Sequence, residues 1–272
     1  MGLRIQTNIE AMDAHRNLVG TSSALSESME RLSSGYRINK AADDAAGLAI
    51  SEKLAAQVSG LDQAQRNAQD AVSLVQTADG SMNEVQSMLQ RVRDLAVEYN
   101  NGTLSTSDKA SITNEVAQLC AEINRIAGQT KFNGIALLSG GGTITFQVGA
   151  DDGETVTVSA LKLFGSGSSF DIDSSLFNFS GSTVNLSSID AAIDSVSTAR
   201  STFGAVQNRL QHTLNNLATY QENLSASESQ IKDVDMAAEM VNFTKLQVLQ
   251  QAGTSMLSQA NQSQQSVLKL LQ

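Results

Sequence analysis

IDAAIDSVSTARSTFGAVQNRLQHTLNNLATYQENLSASESQI, residues 189–231, sets Ile189, Ile193, Val196, Arg200, Phe203, Gln207, Leu210, Leu214, Leu217, Gln221, Leu224, Glu228 and Ile231 at alternating steps of four and three. Six heptads of that spacing predict a long helix with one packed face, a coiled-coil period with polar interruptions. Ser187-Ser-Ile-Asp190 reads as its N-cap. A partner of similar length lies upstream. Leu54, Val58, Leu61, Gln65, Ala68, Val72 and Val75 keep the same steps, and after a phase step the stripe resumes through Met82, Val85, Leu89, Val92, Ala96 and Tyr99. A helix from about 45 to 99 is roughly 80 Å long at 1.5 Å per residue, too long for an ordinary globular helix and right for a rod.

Between these two helices the texture changes twice. Asn100-Asn-Gly102 ends the upstream helix, with Gly102 as a left-handed cap. Ser105-Thr-Ser-Asp108 resembles a capping box, and opens a shorter helix striped by Ile112, Val116, Leu119, Ile123 and Ile126 and closed by Gly128. From Gly134 to Gly181 the helical period is lost. Ile144–Val148 and Val156–Val158 alternate like strands around Gly149-Ala-Asp-Asp-Gly153, a hairpin, and Gly and Ser crowd 139–142 and 165–169. A small β element with mobile loops and a disordered insert are the two readings of this segment.

The ends repeat the helical theme. Ile5, Ile9 and Met12 are spaced four and three, and Leu18, Leu25, Met29 and Leu32 follow one position out of phase. Ser33–Gly47 carries turn formers and reads as a loop or hinge. Beyond Lys232-Asp-Val-Asp235, Leu246, Leu249, Gly253, Met256, Ala260, Ser263, Val267 and Leu270 form one seam, with Met240, Phe243, Val248, Leu257, Leu268 and Leu271 beside it. The expected fold is mainly α: a long antiparallel coiled-coil or helical-bundle rod over 44–231, with a β-hairpin insert at about 134–184, and a terminal domain from 1–43 and 232–272. Ordering about 40 residues at each end costs roughly 1–2 kcal/mol per residue. A narrow seam containing Gly253, Ala260 and Ser263 returns little at about 25 cal/mol per Å². The ends are therefore expected to be disordered in the free subunit and to fold when copies cover Ile5, Ile9, Met12, Leu25, Leu32, Leu246, Leu249, Met256, Val267 and Leu270. The competing reading is an intramolecular four-helix bundle, each arm folded back on the rod.

Composition fits a structural chain. The 272 residues contain no Pro, no Trp and one Cys, with 4% aromatics. A net charge of −10 repels nucleic acid and anionic lipid. Arg4, Arg16, Arg31, Arg37 and Lys40 nonetheless bias the first forty residues positive, which suits head-to-tail association as well as a solvated helix face. Cys120, beside Leu119, reads as a small buried thiol, not a nucleophile. No 18-residue apolar run predicts membrane insertion, and Met1-Gly-Leu-Arg-Ile-Gln-Thr-Asn-Ile lacks the apolar core of a general secretory signal. His15 and His212 have no second His at metal spacing, and no GxSxG, Walker or GxGxxG pattern occurs. No catalytic, metal or cofactor site is expected.

Three stretches carry a family resemblance. Glu30-Arg-Leu-Ser-Ser-Gly-Tyr-Arg-Ile-Asn-Lys-Ala-Ala-Asp-Asp-Ala-Ala-Gly-Leu-Ala-Ile50, Gln90-Arg-Val-Arg-Asp-Leu-Ala-Val97 and Leu249-Gln-Gln-Ala-Gly-Thr-Ser-Met-Leu-Ser-Gln-Ala-Asn261 resemble the terminal segments of bacterial flagellins, supported by Gln129-Thr-Lys-Phe-Asn-Gly134. The resemblance implies a short flagellin without large outer domains, a homopolymer secreted through the flagellar export channel into the extracellular filament used for swimming. It implies an export chaperone and a filament cap as partners. It also implies contact with Toll-like receptor 5 through Gln90, Arg91, Leu95 and Glu115, and a plant-receptor segment over 30–51 with Asp43 and Gly47 in place. The Pro common in flagellins near Gln262-Ser-Gln-Gln265 is missing, so the last helix is expected to run on unkinked. A hook–filament junction protein and a secreted adhesive or receptor-binding helical module are the rival functions; the junction protein's C-terminal signature is usually less flagellin-like than residues 249–261, and the module would place the function in the insert.

Overall fold

The computed structural model describes residues 8–140, 142–159, 179 and 184–270, with side chains as far as residue 263. Five helices dominate: α1 (Ile9–Ser34), α2 (Ala45–Tyr99), α3 (Thr106–Gln129), α4 (Leu186–Lys232) and α5 (Met236–Leu270). Two antiparallel hairpins follow α3, β1 (Lys131–Phe132) with β2 (Ile135–Ala136), and β3 (Thr143–Gln147) with β4 (Thr155–Ser159). The fold is the mainly helical one that the periodicity predicts. α5 runs through 262–265 unbroken, as the absence of Pro predicts. The chain divides into two compact units, residues 57–222 and residues 1–56 with 223–272.

In the 57–222 unit, α2 and α4 pack antiparallel. Gln65 Nε2 donates to Gln221 at 2.6 Å, Arg200 reaches Asp79 at 2.8 Å and Gln86 at 2.7 Å, and Arg93 reaches Asp190 at 2.6 Å, so partner numbers run in opposite directions. Half of the predicted α4 stripe faces the core squarely: Ile189, Val196, Phe203, Leu210 and Leu217 are buried, whereas Ile193, Arg200, Gln207 and Leu214 are half-buried and Ala192, Ala199 and Val206 are sealed in their stead. Opposite lie Leu61, Ala68, Val75, Met82, Val85, Leu89, Val92, Ala96 and Tyr99 of α2, and Ile112, Val116 and Ile123 of α3. Each fully buried Leu, Val or Ile contributes about 1.5–3 kcal/mol. Leu89 is completely sealed.

Local signals account for most ends of these helices. The capping box of α3 is present, with Ser105 accepting from the Asp108 N–H and Asp108 accepting from the Ser105 N–H. Three boundaries depart from the sequence reading. Gly102 is not left-handed, because Asn101 closes the end of α2 by donating its N–H to Glu98 O at 3.0 Å, a tighter turn that satisfies a terminal carbonyl without a positive φ. α3 passes through Gly128 to Gln129 and is capped at Thr130, whose hydroxyl donates to Ile126 O at 2.6 Å. α4 starts at Leu186, ahead of Ser187, whose N–H bonds Asn185 Oδ1 at 3.1 Å.

The hairpin over 143–159 forms in the register Ile144↔Val158 and Phe146↔Val156. Its turn docks on α2. A Cβ added at Gly60 would stand 3.1 Å from the Ala150 Cβ, and Asn67 Nδ2 donates to Gln147 O at 3.0 Å. The β1–β2 hairpin is unforeseen: Asn133 at φ 47° and Gly134 at φ 81° make the turn. The end of α2 also holds the returning chain. Asn100 exchanges two hydrogen bonds with Val184, at 3.0 and 2.8 Å, and Tyr99 donates to Phe179 O at 2.8 Å while their rings meet edge to face. The expectations for 160–178 and 180–183 lie outside the described residues.

In the other unit, α1 and α5 pair antiparallel. Ser28 Oγ bonds Glu239, Leu18 lies over Gly253, and Asn8 Nδ2 reaches Ala260 O at 3.1 Å. The inward face of α1 is Ala11, Ala14, Leu18, Thr21, Leu25, Ser28 and Leu32; that of α5 is Glu239, Phe243, Leu246, Gln250, Gly253, Leu257 and Ala260. Both keep steps of three and four. The predicted α5 seam is therefore rotated: Leu246, Gly253 and Ala260 face inward, but Leu249, Met256 and Ser263 are exposed and Phe243 and Leu257 take their side. Two apolar stripes flank Gly253, and periodicity alone does not choose between them. Two fits do. A Cβ at Gly253 would come within 3.2 Å of Leu18 Cδ1, and Glu239, 9% exposed, is satisfied only where Ser28 and Asn242 can donate to it.

Two connectors join this pair to its neighbouring helices, and they are laced to each other. Gly35 caps α1 at φ 77°. Tyr36 and Asp233 then form an antiparallel bridge, the Arg37 N–H donates to Lys232 O at 2.7 Å, and the Val234 N–H donates to Gly35 O at 3.0 Å. Lys232 Nζ sits 4.6 Å from the centre of the Tyr36 ring. The predicted hinge over 33–47 is thus a tight connector, and α2 begins inside it.

Candidate functional site

The first candidate is the outward face of α1 and α5. On α1, Ile9, Met12, Val19 and Met29 are exposed; on α5, Met236, Met240, Val241, Val248, Leu249 and Met256 are exposed. Val241 is 71% and Met12 64% exposed. The α1–α5 seam closes on Leu18, Leu25, Leu32, Phe243, Leu246 and Leu257 with small residues between them, yet further large aliphatic side chains on both helices stand in solvent. Met240, Val241, Thr244, Lys245, Val248 and Leu249 together line a shallow, almost wholly apolar concavity. Exposed apolar side chains gathered on one helix pair make this surface a candidate interaction face. Of the residues expected to act in assembly, Ile9, Met12, Leu249 and Met256 lie on this face, whereas Leu25, Leu32 and Leu246 are half-buried in the seam. Ile5 lies outside the described residues, as do the side chains of Val267 and Leu270.

The second candidate is the paired surface of α2 and α3. Arg91 Nε donates to Glu115 Oε1 at 2.8 Å across the two helices, and both side chains remain about half exposed, at 54% and 45%. Gln90 is exposed beside them. Leu95 is not part of this surface. It is 1% exposed, since α2 turns it inward with Val92 and Ala96, and the apolar side chain this stretch does offer to solvent is Val97. An exposed ion pair of this type contributes about 0–1 kcal/mol to stability.

Asp43 and Gly47 sit in the α1–α2 connector. Asp43 accepts the backbone N–H groups of Asn39 and Lys40, each at 3.0 Å, and those bonds hold its carboxyl below the usual carboxylate range. The Gly47 N–H donates to Asp44 Oδ1 at 2.8 Å, and a Cβ at Gly47 would stand 2.4 Å from Asp44 Oδ2 and 2.8 Å from Ile38 Cδ1. Both residues shape the turn around buried Ile38. Sequence reading singled them out without finding that reason.

Chemistry is sparse elsewhere. Cys120 is half-buried against the core, and burial pushes its thiol up to about 11, which keeps it protonated at neutral pH. Among the described residues no group of three or more His, Cys, Asp or Glu side chains is placed to hold a metal, and no helix is long and apolar enough to cross a membrane.

Against known proteins, residues 5–143 match the bacterial flagellin N-terminal helical region, and residues 186–271 match the bacterial flagellin C-terminal helical region. The chain is 47% identical to the flagellin of Halalkalibacterium halodurans, over 98% of this chain and 99% of that one. It is 43% identical to a flagellin of Bacillus subtilis, over 99% and 100% of the two chains. It is 42% identical to the flagellar filament 33 kDa core protein of Treponema phagedenis, over 98% and 99%. Two helical regions joined through a short hairpin segment, matched along nearly their whole length, place this chain in the bacterial flagellin family.

Proposed function

We propose that the chain is a structural subunit that polymerises with its own copies, through the outward faces of α1 and α5, into an extracellular flagellar filament. One observation carries the reading: the α1–α5 pair closes its own seam and still leaves Ile9, Met12, Val241, Val248 and Met256 bare. The bare side chains gain nothing from the pair's own seam, and stacked copies supply the missing burial. In the free subunit the terminal helices open readily or are unfolded, and they order as neighbours arrive. On this reading residues 1–43 and 232–272 form the inner layer of the filament and residues 44–231 the layer around it. An export chaperone and a filament cap are the partners expected of such a subunit, and its role is mechanical, not catalytic.

The test compares three chains by sedimentation and electron microscopy after seeding. The full chain and a variant lacking residues 140–182 should both grow filaments. A variant lacking α1 and α5 should stay monomeric. Filaments from that last variant, or none from the deletion within 140–182, would move the function away from the ends.

The exposed Arg91–Glu115 pair with Gln90 supports a second role for the same subunit, recognition by Toll-like receptor 5. Leu95, buried in the core, is not part of that contact. Receptor activation by the chain, lost in Arg91→Ala and Glu115→Ala, tests this. Unchanged activation in both variants would exclude the site. The connector segment around Asp43 and Gly47 is proposed as the plant-receptor segment, and a synthetic 30–51 peptide applied to plant cells tests it.

A further inference from the structure

The methionines of this chain are not scattered. Seven are described. Met82 is fully buried and Met88 half-buried in the 57–222 unit, whereas Met12, Met29, Met236, Met240 and Met256 are all exposed and all lie on α1 or α5. Met12 and Met256 are the most open, at 64% each. Met240 belongs to the apolar concavity with Val241, Val248 and Leu249.

We infer that these five side chains form a peroxide-sensitive modification site on the assembly face, through which a two-electron oxidant stops incorporation of the free subunit. The inference rests on the assembly reading above. The chemistry is that of a thioether. A lone pair on Sδ attacks one oxygen of hydrogen peroxide, the O–O bond breaks, and the sulfur keeps that oxygen while the other leaves as water, so methionine and H2O2 give methionine sulfoxide and H2O. Sulfur loses the two electrons that the peroxide gains. Susceptibility follows exposure, which separates these five from Met82.

The consequence follows from where the oxygen arrives. A sulfoxide is a strong acceptor on a side chain whose thioether was only a weak one. In the free subunit water satisfies it. Against an apolar neighbour it must be desolvated or leave a gap, and either disfavours docking. Leucine at the same positions keeps the apolar volume and cannot be oxidised in this way. Because the free subunit tolerates the change and the contact does not, oxidation acts on assembly and not on folding of the core.

The experiment uses the purified full chain, with and without hydrogen peroxide. The added oxygen is located by peptide mass spectrometry, and the critical concentration is measured by sedimentation. Oxygen should appear on the five exposed methionines and not on Met82. The critical concentration should rise by about tenfold or more, the change expected for a loss of about 1.4 kcal/mol or more. Methionine sulfoxide reductase should restore it. The variant with all five changed to Leu should polymerise before and after peroxide, and the double variant Met12→Leu/Met256→Leu, judged folded by circular dichroism, should show partial resistance. A chain oxidised at all five positions yet polymerising at its original concentration overturns the inference and leaves the assembly reading standing. Equal peroxide sensitivity in the leucine variants also overturns it. Failure of the untreated chain to polymerise at any concentration is a failure of the assembly reading itself.

Discussion

Val241→Ala with Val248→Ala separates a surface that folds the chain from one that joins chains. The two valines are 71% and 59% exposed and lie off the α1–α5 seam. Each substitution removes two methyl groups, and a methyl-sized group is worth about 0.8 kcal/mol on full burial. Weighted by the surface still open to a neighbour, the losses are about 1.1 and about 0.9 kcal/mol, or roughly 2 kcal/mol together. That is roughly a 30-fold rise in the critical concentration for filament growth. The free subunit should not be weakened, because Ala is a better helix former than Val and neither side chain packs within the pair. Sedimentation of seeded protein over a concentration series reads the first quantity; urea unfolding followed by circular dichroism reads the second. A critical concentration within about twofold of the parent chain, with subunit stability unchanged, would refute the placement of the contact surface.

Leu89→Ala should lower the stability of the 57–222 unit by about 2–5 kcal/mol, measured by urea unfolding, because the side chain is sealed in the α2–α3–α4 core. Gly47→Ala should destabilise the connector: Ala gains about 1 kcal/mol of helix propensity, but the new Cβ displaces Asp44 from its cap and presses on buried Ile38, together costing about 2–4 kcal/mol. Hydrogen exchange at Leu48 and Ala49 should quicken. Asp43 has a folded-state pKa below its unfolded value of about 3.9, so its contribution is complete above that pH and is lost as acid brings the pH down through the lower, folded value. Acid titration of Asp43→Asn should lack that component. Cys120 in the folded chain should react with iodoacetamide at neutral pH far more slowly than in urea, and reaction at the denatured rate would contradict its burial and raised pKa.

The helices were legible because their packed faces repeat. The α4 register could be read at Ile189, Val196, Phe203, Leu210 and Leu217. Between them the structure seals Ala192, Ala199 and Val206 and leaves Ile193, Arg200, Gln207 and Leu214 half-buried, because small side chains let α4 approach its neighbours there. The α5 register could not be read, because Leu249 and Met256 on one flank of Gly253 and Phe243 and Leu257 on the other are equally apolar. The choice depends on Leu18 and Ser28, more than 200 residues away in sequence. Leu95 shows the same limit in the α2–α3 surface: its spacing from Arg91 is right for a shared face, but α2 sinks that position into the core. The β1–β2 turn carried its signal in Asn133-Gly134, with flanking strands of two residues too short to show alternation. Capping is local chemistry, and the box at Ser105 was correspondingly plain.

The bare residues of the terminal pair belong to both of its helices, Ile9, Met12 and Val19 on one and Met240, Val241, Val248 and Leu249 on the other. A single companion docking about a two-fold axis shelters one flank, and a closed dimer leaves the remainder wet. Only a contact that joins unlike patches can be repeated without end, each arrival recreating the vacancy it filled. Growth without a preset stopping size is then a matter of valence: the pair has more greasy sides than one neighbour has hands.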